Sequence, residues 1–116
     1  MGEKHAKYKL INETMELLMI TAVSSFEEAI KRLLKSQGVK SYSHVKATGY
    51  KDLSNESRDD NWFAAGIGEQ DSILFYAFVP QSNSDKVLDA IRVLNDNQET
   101  QSYVHAVVLD VKKSSE

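Results

Sequence analysis

The chain has 116 residues, of which 41% are apolar and 27% charged, the composition of an ordinary globular domain with one core. It contains no cysteine, which excludes disulfides, thiolate catalysis and cysteine-based zinc sites. The net charge of −3 argues against a nucleic acid or an anionic membrane as partner, because proteins that bind these usually carry basic patches. No apolar run approaches the roughly 18 residues of a transmembrane helix, and no signal-peptide pattern opens the chain. We therefore expect a cytoplasmic protein without membrane insertion.

The first third of the chain predicts a polar tail, a strand and a helix. Met1–Glu13 is polar and mixed in charge, so we expect a flexible tail there. The apolar run Thr14–Ala22 predicts the first strand. Ser25 with Glu28 fits a capping box at the start of a helix whose apolar residues recur at helical spacing. Gly38 is placed to end that helix in the left-handed conformation.

The rest of the chain predicts two further strands, a second helix and a last strand. Tyr42–Tyr50 contains enough polar residues to indicate a sheet edge. Ser72–Val79 is apolar and is ended by Pro80, because proline cannot donate to a strand ladder. The remaining elements are a helix capped by Ser82 or Ser84, with an apolar stripe of Val87, Leu88, Ile91 and Leu94, and a strand over Tyr103–Val111.

This order of elements predicts an α+β fold of the ferredoxin-like βαββαβ plan, in which two helices cover one face of a four-stranded antiparallel sheet. We interpret residues 1–116 as a single domain. The uncovered face should be polar in a monomer, but the first and third strands are apolar on both faces. Each large apolar side chain left in water forfeits about 1.5–3 kcal/mol, so we expect other subunits to bury this face. Residues 1–13 are the alternative cover, but they are too polar for that role.

Between the second and third strands lies Lys51–Asp71, which has no sustained apolar period and is predicted to be a loop. It is far longer than a hairpin connection, and loops of this length are usually functional. The segment contains two basic and six acidic side chains. It also contains the single tryptophan, Trp62, which is next to Phe63 in the sequence. We expect the loop to be mobile and to contact a partner protein through Trp62, Phe63 and Arg58. The alternative is that the two aromatic rings tuck onto their own subunit.

The segment EEAIKRLLKSQGVKSYSHVKATGY leads into the long loop, and SILFYAFVP is followed by SDKVLDAIRVL. On these segments nearly the whole chain, Met15–Lys113, resembles the PII signalling family, and more closely its divergent PII-like branch. The resemblance implies a homotrimer whose sheets face inward, with nucleotide-binding clefts between subunits and with Lys51–Asp71 as the T-loop. It also implies a regulator that is not an enzyme and that docks a membrane transporter or an enzyme through this loop.

Gly49, Tyr50 and Lys51 stand where the family's loop begins and its cleft lies, so the resemblance makes them the candidate effector site. Lys51 could hold a phosphate as a point charge, although a solvated lysine at a strand end is an equally good interpretation. The candidate effectors are an adenine nucleotide or a divalent metal. The family's phosphate-binding segment, TGxxGDGK, corresponds here to NDNQETQSY, which has neither glycine nor a basic residue. The T-loop tyrosine is also absent, and we expect weaker ATP binding than in other PII proteins.

The main alternative function is that of a trimeric divalent-metal-binding protein similar to the CutA proteins, which share the fold plan. Its weak candidate ligands are His44 and His105, of which three copies could meet at the trimer axis. RNA binding is disfavoured because Tyr76–Val79 lacks the preceding Lys/Arg-Gly of the RNP1 motif. A ferredoxin-like enzyme such as an acylphosphatase needs an arginine after the first strand, and Ala22–Ser25 has none.

Overall fold

The computed structural model describes residues 14–50, 69–98 and 103–115. The proposed tail and most of the predicted loop, including Lys51, Arg58, Trp62 and Phe63, lie outside these ranges. A turn of 3-10 helix over Ser24–Phe26 joins the first strand to the first helix. The elements are, in chain order, β1 (Met15–Val23), α1 (Glu27–Ser36), β2 (Ser43–Tyr50), β3 (Glu69–Pro80), α2 (Gln81–Asp96) and β4 (His105–Asp110).

The four strands form one antiparallel sheet in the order β2-β3-β1-β4, which confirms the predicted ferredoxin-like α+β fold. Strand β2 lies at an edge, as its polar residues indicate. The predicted start of β3 is wrong, because the strand begins at Glu69 and not at Ser72. Three polar residues, Glu69, Gln70 and Asp71, extend the ladder opposite Tyr50, Gly49 and Thr48.

Alternate residues of the sheet point towards the two helices and form the core with them. Ile30 and Leu34 of α1 and Val87 and Ile91 of α2 are buried there. Phe75, in the middle of β3, is 1% exposed and is the largest side chain of the core. The other buried apolar residues are Leu18, Ile20, Ala22, Val39, Ile73, Ala77, Val79 and Val104.

The sequence predicts the C-terminal end of α1 correctly and its N-terminal end incorrectly. Gly38 has φ +82°, and its N–H donates to the carbonyl of Lys35 while that of Val39 donates to the carbonyl of Leu34, the Schellman pattern. The predicted capping box is wrong: no side chain caps either the 3-10 turn or α1. Ser25 lies inside the 3-10 turn that follows β1 directly, so its hydroxyl is not at a capping position.

The start of α2 is also set differently from the prediction. The helix begins at Gln81, one residue after Pro80, and neither Ser82 nor Ser84 is its N-cap. Ser84 is buried in the first turn instead, where its hydroxyl donates to the carbonyl of Gln81 and contacts a carboxylate oxygen of Glu16 in β1. A long-range hydroxyl–carboxylate contact therefore ties this helix to the central strand.

The face of the sheet away from the helices, called here the open face, carries a continuous apolar surface. Leu17 pairs with Phe78 on one side and Leu109 on the other, and Met19 pairs with Tyr76 and Val107. Phe78 is 58% exposed. The apolar residues of the open face are Met15, Leu17, Met19, Val45, Leu74, Tyr76, Phe78, Val107 and Leu109. The strands that were predicted to be apolar on both faces are therefore present.

Within the described ranges no helix is long and apolar enough to span a membrane.

Candidate functional site

The candidate effector residues lie at the end of the sheet from which the predicted loop departs. Strands β2 and β3 stay paired to their ends, where Tyr50 faces Glu69. Gly49 is buried opposite Gln70, and Tyr50 is 70% exposed. The structure thus places Gly49 and Tyr50 together at this end, while Lys51 lies outside the described residues.

Gln70 adds a feature to this end of the sheet that the sequence does not indicate. Its side-chain oxygen Oε1 is buried and has no hydrogen-bond partner, and its backbone carbonyl accepts a hydrogen bond from Ser72 Oγ at 3.4 Å. An unsatisfied buried acceptor costs about 1–3 kcal/mol. Beside Gly49, this oxygen could accept a hydrogen bond from an N–H or O–H group of a ligand. A glutamine within a polar stretch carries no signal for such a role, because the burial of its side-chain oxygen depends on the tertiary structure.

A cleft of about 450 Å³ lies beside the same end of β2 and β3, and we call it the loop-base cleft. Its volume is within the range of small-molecule sites. The cleft contains two negatively charged groups, the carboxylates of Glu27 and Asp71, and one positively charged group, the ammonium of Lys46. Several hydroxyl groups also line it and can donate or accept hydrogen bonds. The lining residues are Ser24, Glu27, Lys46, Ala47, Thr48, Asp71 and Ser72.

One carboxylate of this cleft is already engaged within the protein. Lys31 Nζ lies 2.7 Å from Glu27 Oε2, and this hydrogen bond lowers the pKa of Glu27, with smaller contributions from the charges of Lys31, His44 and Lys46. The same contact raises the pKa of Lys31. Because both groups stay charged at neutral pH, Glu27 is poorly suited to accept a proton from a substrate. Lys46 has no ion pair among the described residues and is the cation available to a ligand.

The two candidate metal ligands lie on different faces of the sheet. His44 is on the helix side of the edge strand β2, with its ring 5.2 Å from that of Phe75 and 6.4 Å from that of Tyr42. His105 is on the open face of the opposite edge strand, β4, and burial lowers its pKa. Within one chain the two imidazoles cannot share an ion, and in the part of the chain that the structure describes no three His, Cys, Asp or Glu residues form a metal-binding group. The metal-binding alternative is not favoured.

Comparisons with known proteins bear on the fold. The chain matches no protein-family model and no curated protein sequence. It is similar to the structure of CPII, a nitrogen regulatory PII-like protein from Thiomonas intermedia K12 bound to ADP, AMP and bicarbonate, with 19% identity, a TM-score of 0.57 and coverage of 86% of this chain and 94% of that one.

Two further solved structures have the same fold. A putative PII-like signaling protein from Thermus thermophilus is 21% identical, with a TM-score of 0.58 over 85% of this chain and 88% of that chain. A DUF3240 family protein from Shewanella baltica is 12% identical, with a TM-score of 0.61 over 89% and 96%. At these identities the likeness is one of fold, and at that level the resemblance predicted from the sequence is confirmed.

Proposed function

We propose that this chain, which has the fold of PII-like proteins, is a cytoplasmic PII-like regulatory protein without catalytic activity. In this proposal three copies bury their open faces against one another and bind a small effector near Gly49, Tyr50 and Lys51. The loop that begins at Lys51 contacts a target protein, such as a membrane transporter or an enzyme, through Arg58, Trp62 and Phe63. The observation that carries the proposal is a PII-like fold that leaves an apolar sheet face uncovered.

The open face supports the homotrimer on energetic grounds. Five of its large apolar side chains are between 39% and 58% exposed in the single chain, and contiguous apolar patches of this kind mark interaction surfaces. Burying one such side chain is worth about 1.5–3 kcal/mol when it is removed fully from water. Inward-facing sheets, as the PII resemblance implies, would bury all five in every subunit. The exposed residues are Met15, Val45, Tyr76, Phe78 and Leu109.

The end of β2 and β3 offers an effector two polar groups on opposite faces of the sheet. Gln70 Oε1 is an unused acceptor on the open face beside Gly49, and Lys46 is a cation on the helix side, in the loop-base cleft. An effector that used both would reach around the end of the two strands. An adenine nucleotide carries an amino group and a phosphate, and the CPII structure contains ADP and AMP. An effector bound at the point where the loop leaves the sheet could bias the loop only by binding one of its conformations better. A tenfold bias requires about 1.4 kcal/mol of differential affinity.

The experiment that tests this function is calorimetric titration of the full chain with AMP, ADP, ATP and cyclic nucleotides, each with and without bicarbonate. We expect at least one adenine nucleotide to bind, and we expect Lys51→Ala to weaken its binding about tenfold, as the loss of one charge-assisted contact predicts. Lys86→Ala is the matched control, because it removes the same charge from an exposed position of α2. Tight ATP binding that Lys51→Ala leaves unchanged would show that the site lies elsewhere.

A substitution at Gln70 tests whether its buried oxygen binds the effector or has only a structural role. Gln70→Leu removes the buried acceptor at similar volume, so we expect the free protein to become more stable by about 1–3 kcal/mol while nucleotide affinity falls. Urea unfolding measures the first effect and calorimetry the second. A variant that loses stability, or that binds nucleotide as the wild type does, contradicts the role assigned to Gln70 Oε1.

The contact with a target is tested separately. The double variant Trp62→Ala, Phe63→Ala should lose a partner that the wild-type chain retains in an affinity pull-down, because aromatic anchors dominate many interfaces. Equal retention by both proteins would show that the loop is not the contact surface.

A further inference from the structure

A second cleft, of about 620 Å³, lies between α1 and the segment that leads into β2. We call it the basic cleft, because four of the chain's fourteen basic residues line it and no acidic residue among the described ones does. Within the ranges that the structure describes, it shares no lining residue with the loop-base cleft. Its lining residues are Lys31, Arg32, Lys35, Gly38, Val39, Lys40 and Tyr42. This concentration of positive charge contrasts with the net charge of −3 for the whole chain.

The turn after α1 brings these cations together. Lys31 and Lys35 lie four residues apart, on one side of the helix. The left-handed residue Gly38 then reverses the chain, so that Lys40 returns towards the last turn of α1. A basic residue near a helix C-terminus is ordinary, because it interacts favourably with the helix dipole, but that accounts for Lys35 and not for the other cations.

Most of this positive charge is not neutralised by the part of the chain that the structure describes. Lys31 is paired with Glu27 at 2.7 Å and with Glu28 at 3.5 Å. Arg32, Lys35 and Lys40 are exposed, and among the described residues they form no ion pair. Cations gathered around one cleft repel one another, so an anion that binds between them relieves this repulsion.

The cleft also has an apolar wall. Val39 belongs to the core and is 5% exposed, while Tyr42 is half-buried. The Tyr42 ring is held by Phe75, with the two ring centroids 5.6 Å apart. A fixed aromatic ring beside a cluster of cations suits a ligand that combines a planar or apolar part with several negative charges.

We propose that the basic cleft binds a free phosphate ester of a small organic molecule, at a site separate from the effector site proposed above. The phosphate lies among Arg32, Lys35 and Lys40, where the guanidinium group offers two parallel donors and the ammonium groups act as point charges. The organic part packs on Tyr42 and Val39. The cleft's volume lies within the range of small-molecule pockets, which favours a free ester over the head group of a membrane lipid.

The test uses phenyl phosphate and inorganic phosphate as probes, with amide chemical shifts of the full chain as the readout. We expect phenyl phosphate to shift the amides of residues 38–42 saturably, and to bind about tenfold more tightly than inorganic phosphate because its ring contacts Tyr42. Tyr42→Leu should remove this preference, and Tyr42→Phe should keep it. Equal affinity for the two probes in the wild type would overturn the proposal.

Charge variants test the cations. The double variant Arg32→Glu, Lys35→Glu should weaken phenyl phosphate binding at least about tenfold. The matched double variant Lys86→Glu, Arg92→Glu, on exposed positions of α2, should bind as the wild type does. If glutamate in the last turn of α1 impairs folding, Arg32→Gln, Lys35→Gln removes the cations without adding negative charge, and the same loss is expected. Equal binding by both double variants would refute the site.

Two other outcomes are decisive. Shifts confined to Gly49 and its neighbours would place the phosphate ester at the loop base, which refutes the basic cleft and leaves the proposed effector site standing. Binding to vesicles that contain phosphatidic acid, without binding to phenyl phosphate, would identify a lipid head group and refute a free ester. We expect phenyl phosphate to shift the amides of residues 38–42 even if no nucleotide binds near Gly49. The proposed effector site and the basic cleft can therefore be refuted separately.

Discussion

Replacing Phe78 with aspartate should prevent the assembly of subunits without preventing the folding of each chain. Phe78 lies on the open face and is 58% exposed in the single chain, while its neighbours in β3, Ala77 and Val79, point into the core and are buried. A substitution at Phe78 therefore leaves the helix-side core intact. We expect the variant to fold and to remain monomeric, because the lost contacts are those between subunits.

The magnitude follows from the three copies that a trimer contains. Each Phe78 is 58% exposed, so its full burial on assembly contributes about 0.9–1.7 kcal/mol, and three copies contribute roughly 2.6–5 kcal/mol. At 1.4 kcal/mol for each factor of ten, the association constant should fall by about two to four orders of magnitude. An unpaired carboxylate buried in the interface adds a further penalty. A trimer of ordinary affinity would not survive this loss at micromolar concentration.

Light scattering after size exclusion measures the result directly. The wild-type chain should have three times the 13.1 kDa mass of one chain, and Phe78→Asp should have the mass of one chain. Val93→Asp is the matched control, because Val93 is also 58% exposed but lies on α2, and we expect this variant to stay trimeric. Circular dichroism checks that both variants are folded. A wild-type protein with the mass of one chain, or a Phe78→Asp variant that assembles normally, would refute the interpretation of the open face.

Three further predictions concern the turn, the pH dependence and the loop. Gly38→Ala should lower the unfolding free energy by about 1–2 kcal/mol, because φ is +82° and a Cβ would lie 3.2 Å from Asn83 Nδ2; urea unfolding should show a smaller loss for Gly38→Asn. Burial lowers the pKa of His105, so the folded chain binds fewer protons than the unfolded one; its contribution to stability is present above the usual value of 6.5 and is lost as the pH falls through the lowered pKa. The urea midpoint should change less with pH across this range in His105→Asn than in the wild type. The same pH dependence in both proteins would contradict the prediction. Limited proteolysis should cut first within residues 51–68, which carry few apolar anchors; cleavage at the termini alone would contradict it.

The sequence by itself determined the order of the elements and the character of their faces. Apolar residues at helical spacing in α1 and α2, and apolar residues on both faces of β1 and β3, are properties of neighbouring residues and can be read without the fold. The same holds for Gly38, because a glycine after a helical stripe predicts a left-handed C-terminal residue. These local patterns were sufficient to predict the ferredoxin-like sheet and its apolar open face.

The tertiary structure decided what depends on residues that are distant in sequence. Ser84 contacts Glu16 from 68 positions away and is not a cap. The buried oxygen of Gln70 lies in a stretch of β3 that pairs with β2 as far as Tyr50. The two candidate metal ligands were separated by strand order, which places His44 and His105 at opposite edges of the sheet. The basic cleft likewise exists only because the turn at Gly38 returns Lys40 to α1. Strand register and side-chain hydrogen bonds depend on which segments become neighbours, and the period of a single segment carries no information about that choice.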